Sequence, residues 1–72
     1  MKLPVVSGPE IIKALERNGF VRVGQKGSHV KLRQTHSPSG VLTVIVPLHK
    51  TLKRGTLKAI LRQSGLGLAD IQ

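Results

Sequence analysis

Seventy-two residues make one domain, and a chain of this length buries only about 60% of the surface its unfolded form exposes. The absence of cysteine excludes a disulfide framework and thiolate metal sites, in keeping with a reducing cytoplasm. Twelve Lys and Arg against three Asp and Glu give a formal charge of +9, which points to a polyanion partner, nucleic acid first.

The first element begins at Ser7-Gly8-Pro9-Glu10, which has the capping-box form: a hydroxyl for the third helical amide and a carboxylate to reach back. Pro9 fits the first turn, where its missing N–H has no helical partner in any case. EIIKALERN follows, with Ile11, Ala14 and Leu15 at helical spacing and Lys13, Glu16 and Arg17 directed elsewhere. Asn18-Gly19 stops the helix. FVRVGQ, 20 to 25, alternates as a strand with Val21 and Val23 on one face, and Lys26-Gly27 supplies a tight turn. SHVKLRQ, 28 to 34, alternates again, Val30 and Leu32 facing one way and His29, Lys31 and Arg33 the other.

THSPSG, 35 to 40, is a loop of turn formers. VLTVIVP, 41 to 47, has the most apolar composition of the strands, and Pro47 closes it. The longest apolar run, VLTVIVPL, falls far short of the ~20 residues that span a bilayer. The N-terminus MKLPVVSG lacks the apolar stretch of a signal peptide. A basic amphipathic membrane helix would want aromatic or leucine anchors, and the chain has one aromatic residue. Beyond Pro47, Leu57, Ile60, Leu61 and Ser64 form one apolar stripe, Gly65 caps its end, and GLADIQ adds a last turn. The order α-β-β-β-α implies an α+β fold: a three-stranded antiparallel meander with both helices on one face. The other face is left to solvent, and parity assigns His29, Lys31 and Arg33 to it.

His29 is the candidate with chemistry. A strand histidine on a polar face is commonly a solvated side chain, but here Gly27 and Ser28 leave room for a ligand backbone. Lys26, Lys31 and Arg33 would hold a phosphodiester beside the imidazole, the usual group for moving a proton near neutrality. Two-metal nuclease chemistry needs clustered carboxylates, and this chain has three acids, two of them on the first helix. Its three histidines, at 29, 36 and 49, lack metal-ligand spacing, so neither a metal site nor a cofactor is expected. A histidine-based, metal-independent reaction is then natural on RNA, whose 2′-hydroxyl supplies the nucleophile that DNA lacks. His36 reads as loop surface. His49, near Lys50, Lys53 and Arg54, reads either as solvated surface or as a phosphate contact or second acid. Lys50, Lys53, Arg54 and Lys58 gather at the start of the second helix, where they oppose the macrodipole unless an anion joins them. Arg62 lies further along the same helix.

Gly27-Ser28-His29 after the first strand, together with KRGTLKAILRQSGL at 53 to 66, resembles the HicA toxin family. The likeness runs from the Ser-Gly-x-Glu helix start, through Asn18-Gly19-Phe20, to the segment at 55 to 65, and so covers nearly the whole chain. It implies a double-stranded-RNA-binding-type fold that cleaves mRNA with the histidine of the Gly-Ser-His motif, here His29. It also implies a HicB-type antitoxin that covers this histidine. Many members carry a second histidine next to the first, where this chain has Val30. Pro47-Leu48-His49 keeps the family's Pro-x-His pattern.

Three readings follow: a toxin endoribonuclease, an RNA-binding module of the same fold that cleaves nothing, and a DNA-binding regulator using the second helix. The last lacks any helix-turn-helix pair.

Overall fold

A computed structural model of the protein describes residues 3–38 and 40–71. Along the chain lie α1 (Gly8–Arg17), β1 (Val21–Lys26), β2 (His29–Ser37), β3 (Gly40–Pro47), α2 (Arg54–Ser64) and a 3₁₀ turn at Leu68–Ile71. The strands form one antiparallel sheet in the order β1-β2-β3. The expected α-β-β-β-α order and double-stranded-RNA-binding-like α+β architecture are what the chain adopts.

Period-two alternation in β2 and β3 sets the layers. Val30 and Leu32 pair with Val46 and Val44, and all four are fully buried. They join Ile11, Ile12 and Leu15 of α1 and Leu57 and Ile60 of α2 in one apolar cluster, so both helices cover the same face. The α1 stripe is wider than the spacing suggested, since Ile12 is buried as well.

Each end of α1 is closed as its residues predict. Ser7 Oγ accepts from the Glu10 amide at 3.1 Å, and Glu10 Oε1 accepts from the Ser7 amide at 2.9 Å. Gly19, at φ +89°, turns the chain so that the Phe20 amide reaches Leu15 O at 3.0 Å. In α2 the apolar stripe and the left-handed cap at Gly65 (φ +76°) also match expectation. Ser64 is buried, but its hydroxyl donates to Leu61 O and accepts from the Leu66 amide, both at 3.3 Å.

β1 departs from the sequence reading. No residue of it is buried: Val21 and Val23 are 62% and 48% exposed, and Phe20, just before the strand, enters the core instead. As an edge strand, β1 is also broken by a bulge between Arg22 and Gly24, which leaves Val23 as the extra residue. The hairpin turn is shifted one residue from the expected Lys26-Gly27. Lys26 pairs with His29, and Gly27 (φ +59°) and Ser28 form the two-residue loop, with glycine first as in a II′ turn. His29 is therefore the first residue of β2. The expected loop at 35 to 40 is instead mostly strand. β2 continues to Ser37, which pairs with Gly40, because Gly40 at φ +96° makes the reversal within a shorter turn. Met1, Lys2, Ser39 and Gln72 lie outside the described residues. The outer side of β3 is open at Val41 and Ile45, 61% and 53% exposed, and closes at its end, where Pro47 is buried.

The chain beyond β3 is held by three backbone bonds. Leu48 N donates to Ser28 O (2.7 Å), Gly8 N to His49 O (2.9 Å), and Leu52 N to Val6 O (2.8 Å). The start of α1 lies so close to this segment that a Cβ on Gly8 would stand 2.0 Å from Pro47 O and 3.0 Å from Leu48 Cα. Only glycine fits there, for reasons of space rather than of φ. Gly8 thereby seats the Pro47–His49 segment, which in turn lies against Ser28 and His29.

Gly8→Ala should lower stability by about 2 kcal/mol or more, the upper range for overpacking against atoms that cannot yield; an unchanged urea midpoint would show that the segment moves freely. Ser7→Ala should cost about 1 kcal/mol through the lost cap. The Glu10 carboxyl lies below its usual value of 4.5, chiefly because the Ser7 amide and then the Ser7 hydroxyl favour its charged form. A lowered folded value means that this contribution is present above the unfolded pKa and disappears as pH falls through the folded one. Thermal unfolding of wild type and Glu10→Gln should therefore differ at pH 7 and converge in acid below that range.

Candidate nucleic-acid interface

The sheet face opposite the helices is organised in rows fixed by strand register. The first row is Lys26, His29 and Pro47; the second Gly24, Lys31 and Ile45; the third Val21, Arg33 and Thr43. The middle strand thus carries His29, Lys31 and Arg33 in a column, all exposed, with Lys26 beside His29 and apolar or small residues at the other flanking positions. Parity alone puts them there, because Val30 and Leu32 must point into the core.

Between the first two rows lies a concavity of about 510 Å³, lined by Gly24, Gln25, Lys26, His29, Lys31 and Ile45. It brings together three of the residues singled out from the sequence: Lys26, His29 and Lys31. Arg33 sits one row beyond. Gly27 and Ser28 form the turn at its end, and Gln25 Nε2 donates to Gly27 O at 3.0 Å, bracing that turn. The site can hold an anion between two ammonium groups while an imidazole stands open to solvent.

A second basic group surrounds the start of α2. Lys50, Lys53, Arg54 and Lys58 are all exposed. Lys53 occupies the N-cap position with no side-chain hydrogen bond to the helix, and the first turn holds no acidic residue. The open amides and the helix dipole add to the positive potential there. This group lies in the helical layer, whereas His29 lies on the outer sheet face. The two meet at one end of the molecule, where the Leu48 amide bonds the Ser28 carbonyl. His49 stands at this junction, its carbonyl fixed by Gly8 and its side chain exposed. His36, exposed near the far end of β2, is not brought to His29, and Arg62 belongs to the last turn of α2. Among the described residues, no three His, Asp or Glu side chains converge as metal ligands, and no helix is long and apolar enough to cross a membrane.

Two contributions escaped the sequence reading. Gly8 read only as part of a cap; its one signal was a glycine where a better helix former would serve. Ile45 was hidden inside an unbroken apolar run, although the alternation Val41, Thr43, Ile45 marks it as outward.

Among curated proteins, none is similar enough to this sequence to count as a relative. A family model, the HicA toxin of bacterial toxin–antitoxin systems, does match residues 8–66. That span runs from the first residue of α1 to just past the Gly65 cap of α2, taking in the whole sheet and both basic groups. By that match the chain belongs to the HicA toxin family.

Proposed function

We propose that this toxin is a metal-independent endoribonuclease acting on mRNA in the cytoplasm, with His29 as its general base. One observation carries the reading: an exposed histidine opens β2 at the mouth of a concavity that also holds Lys26 and Lys31. The imidazole takes the proton of a ribose 2′-hydroxyl, and the freed oxygen attacks the adjacent 3′-phosphorus. The new O2′–P bond forms as the P–O5′ bond breaks, leaving a 2′,3′-cyclic phosphate and a 5′-hydroxyl. Lys26 and Lys31 stabilise the charge that builds on the phosphoryl oxygens. The departing 5′-oxygen needs a proton, and His49, held at the same end of the molecule, is the second imidazole available for that step or for a phosphate contact.

Lys50, Lys53, Arg54 and Lys58 take the RNA backbone as it leaves the sheet face, using helix potential as well as their own charge. Gly27 and Ser28 keep the approach to His29 free of bulk, and Arg33 extends the cationic column. A HicB-type antitoxin would neutralise the toxin by covering His29, which the open sheet face allows.

His29→Ala should abolish cleavage of a single-stranded RNA in EDTA while changing stability by no more than about 0.5 kcal/mol, as for an exposed residue away from any cap or core contact. Wild-type products should end in cyclic or 3′-phosphate. Loss of wild-type activity on chelation, restored by a divalent ion, would overturn the mechanism. Intact RNA bound equally by both proteins would leave a non-catalytic RNA-binding module. Lys53→Ala with Arg54→Ala should weaken binding of all sequences alike. It should also flatten the salt dependence by about 0.7 in log–log slope per lost phosphate contact. An unchanged slope would remove the α2 group from the interface.

A further inference from the structure

Most glycines of this chain are demanded by the backbone. Gly19, Gly27, Gly40 and Gly65 have positive φ, and Gly8 has no room for a Cβ. Gly24 is different. It lies inside β1, its φ is not positive, and a Cβ built on it would meet nothing within 4 Å. Neither conformation nor packing requires a glycine there, and a strand interior is weakened by one. A β-branched residue would suit the position better.

The same short strand holds a second irregularity, the bulge at Val23, immediately before Gly24. Bulges gather beside functional sites, where they re-aim the strand. Gly24 lines the concavity that contains His29, directly across from Lys31, and the bulge adjoins it in sequence. The lining is cationic at Lys26 and Lys31 and apolar at Ile45, which is 53% exposed. No acid lines it: Glu10 and Glu16 belong to α1, and Asp70 to the terminal turn. A ligand that suits it is anionic at one end and flat or weakly polar at the other.

We propose that Gly24 is a specificity-determining residue, whose missing side chain keeps open a subsite for one nucleotide of the RNA strand beside His29. The sugar and base lie over Gly24 and Ile45, and the phosphate lies between Lys26 and Lys31. This inference rests on the endoribonuclease reading and deepens it: the fold gives up stability in β1 so that the substrate can lie flat on the sheet.

The test compares wild type with Gly24→Ala and Gly24→Val in three measurements. These are thermal unfolding, steady-state cleavage of an RNA 12-mer in EDTA, and fluorescence anisotropy with the same sequence as 2′-fluoro RNA, which has no 2′-hydroxyl to attack. Gly24→Val should melt at or above the wild-type temperature. Its KM for RNA and its Kd for 2′-fluoro RNA should both rise by about tenfold or more, the scale on which a pocket discriminates a few methyl groups. Gly24→Ala should show a smaller rise in the same direction. A folded Gly24→Val with wild-type KM and Kd would overturn the proposal, and so would a lowered melting temperature, since the fold would then need the glycine. A change confined to binding of a protein partner, with RNA unaffected, would equally overturn it. If wild type cuts nothing, the endoribonuclease reading fails by itself; weaker 2′-fluoro RNA binding by Gly24→Val would still uphold the subsite.

Discussion

The alternation of β2 is the constraint on which the rest depends. β2 is the central strand, and both helices sit on one side of it, so Val30 and Leu32 have one place to go. A slip of one residue would turn His29, Lys31 and Arg33 into the apolar layer. Each would then be buried without a partner, at a cost of several kcal/mol. The register is therefore held by the core, and the outward column of imidazole, ammonium and guanidinium is its consequence. What looks like a designed cationic stripe is the other half of a hydrophobic pattern.

The charge distribution extends this point. The three acids are each occupied locally. Glu10 closes the α1 cap. Glu16 meets Arg22 at 3.5 Å, and Asp70 accepts from the Gly67 amide at 2.8 Å. No ion pair to Lys26, Lys31 or Lys53 forms among the described residues, and no acid lines the concavity beside His29. The two basic groups belong to different layers, yet the bond from Leu48 to Ser28 brings the loop that leads to one directly against the turn that carries the other. Gly8 fixes that contact from beneath. On the proposed reading, this junction is where an RNA strand would pass from the sheet face to the α2 terminus.

Most of this fold is legible in the sequence because local signals and tertiary demands agree. The capping box at Ser7–Glu10, the stop at Gly19, the alternation of 29 to 33 and the Gly65 cap each state one structure. β1 was read with less success. Its Val-x-Val pattern fits a half-buried strand, but an edge strand with a bulge has no layer to bury it, and Phe20 fills the core instead. The segment 35 to 37 carries turn formers that also tolerate extended backbone, and pairing with β3 decides the matter. Of the site, the column on β2 could be read from parity alone. The concavity could not, because it depends on which β1 residue faces Lys31, and the bulge determines that. The closeness of Gly8 to Pro47 was equally hidden, since cap chemistry gives a sufficient account of Ser-Gly-Pro-Glu.

The contrast between the two helices shows where this chain departs from what stability alone would select. Apart from Gly8, α1 obeys the local rules: reciprocal capping, an acid in the first turn, a basic residue in the last, a continuous buried stripe. α2 obeys them only at its C-terminal end. Its N-cap is a lysine without a capping bond, and its first turn has no acid, an arrangement that the macrodipole disfavours. β1 adds a mid-strand glycine and a bulge, and the outer face leaves Ile45 and Val21 to water. Most of these local departures fall on the outer sheet face and at the α2 terminus, the two places that carry the basic groups. Violations of that kind concentrate at functional sites, where the ligand supplies what the isolated chain lacks. An anion at the α2 terminus would satisfy the open amides, and a nucleotide on the sheet would cover the apolar flanks. On the proposed reading, these departures are the ones that a bound polyanion would offset.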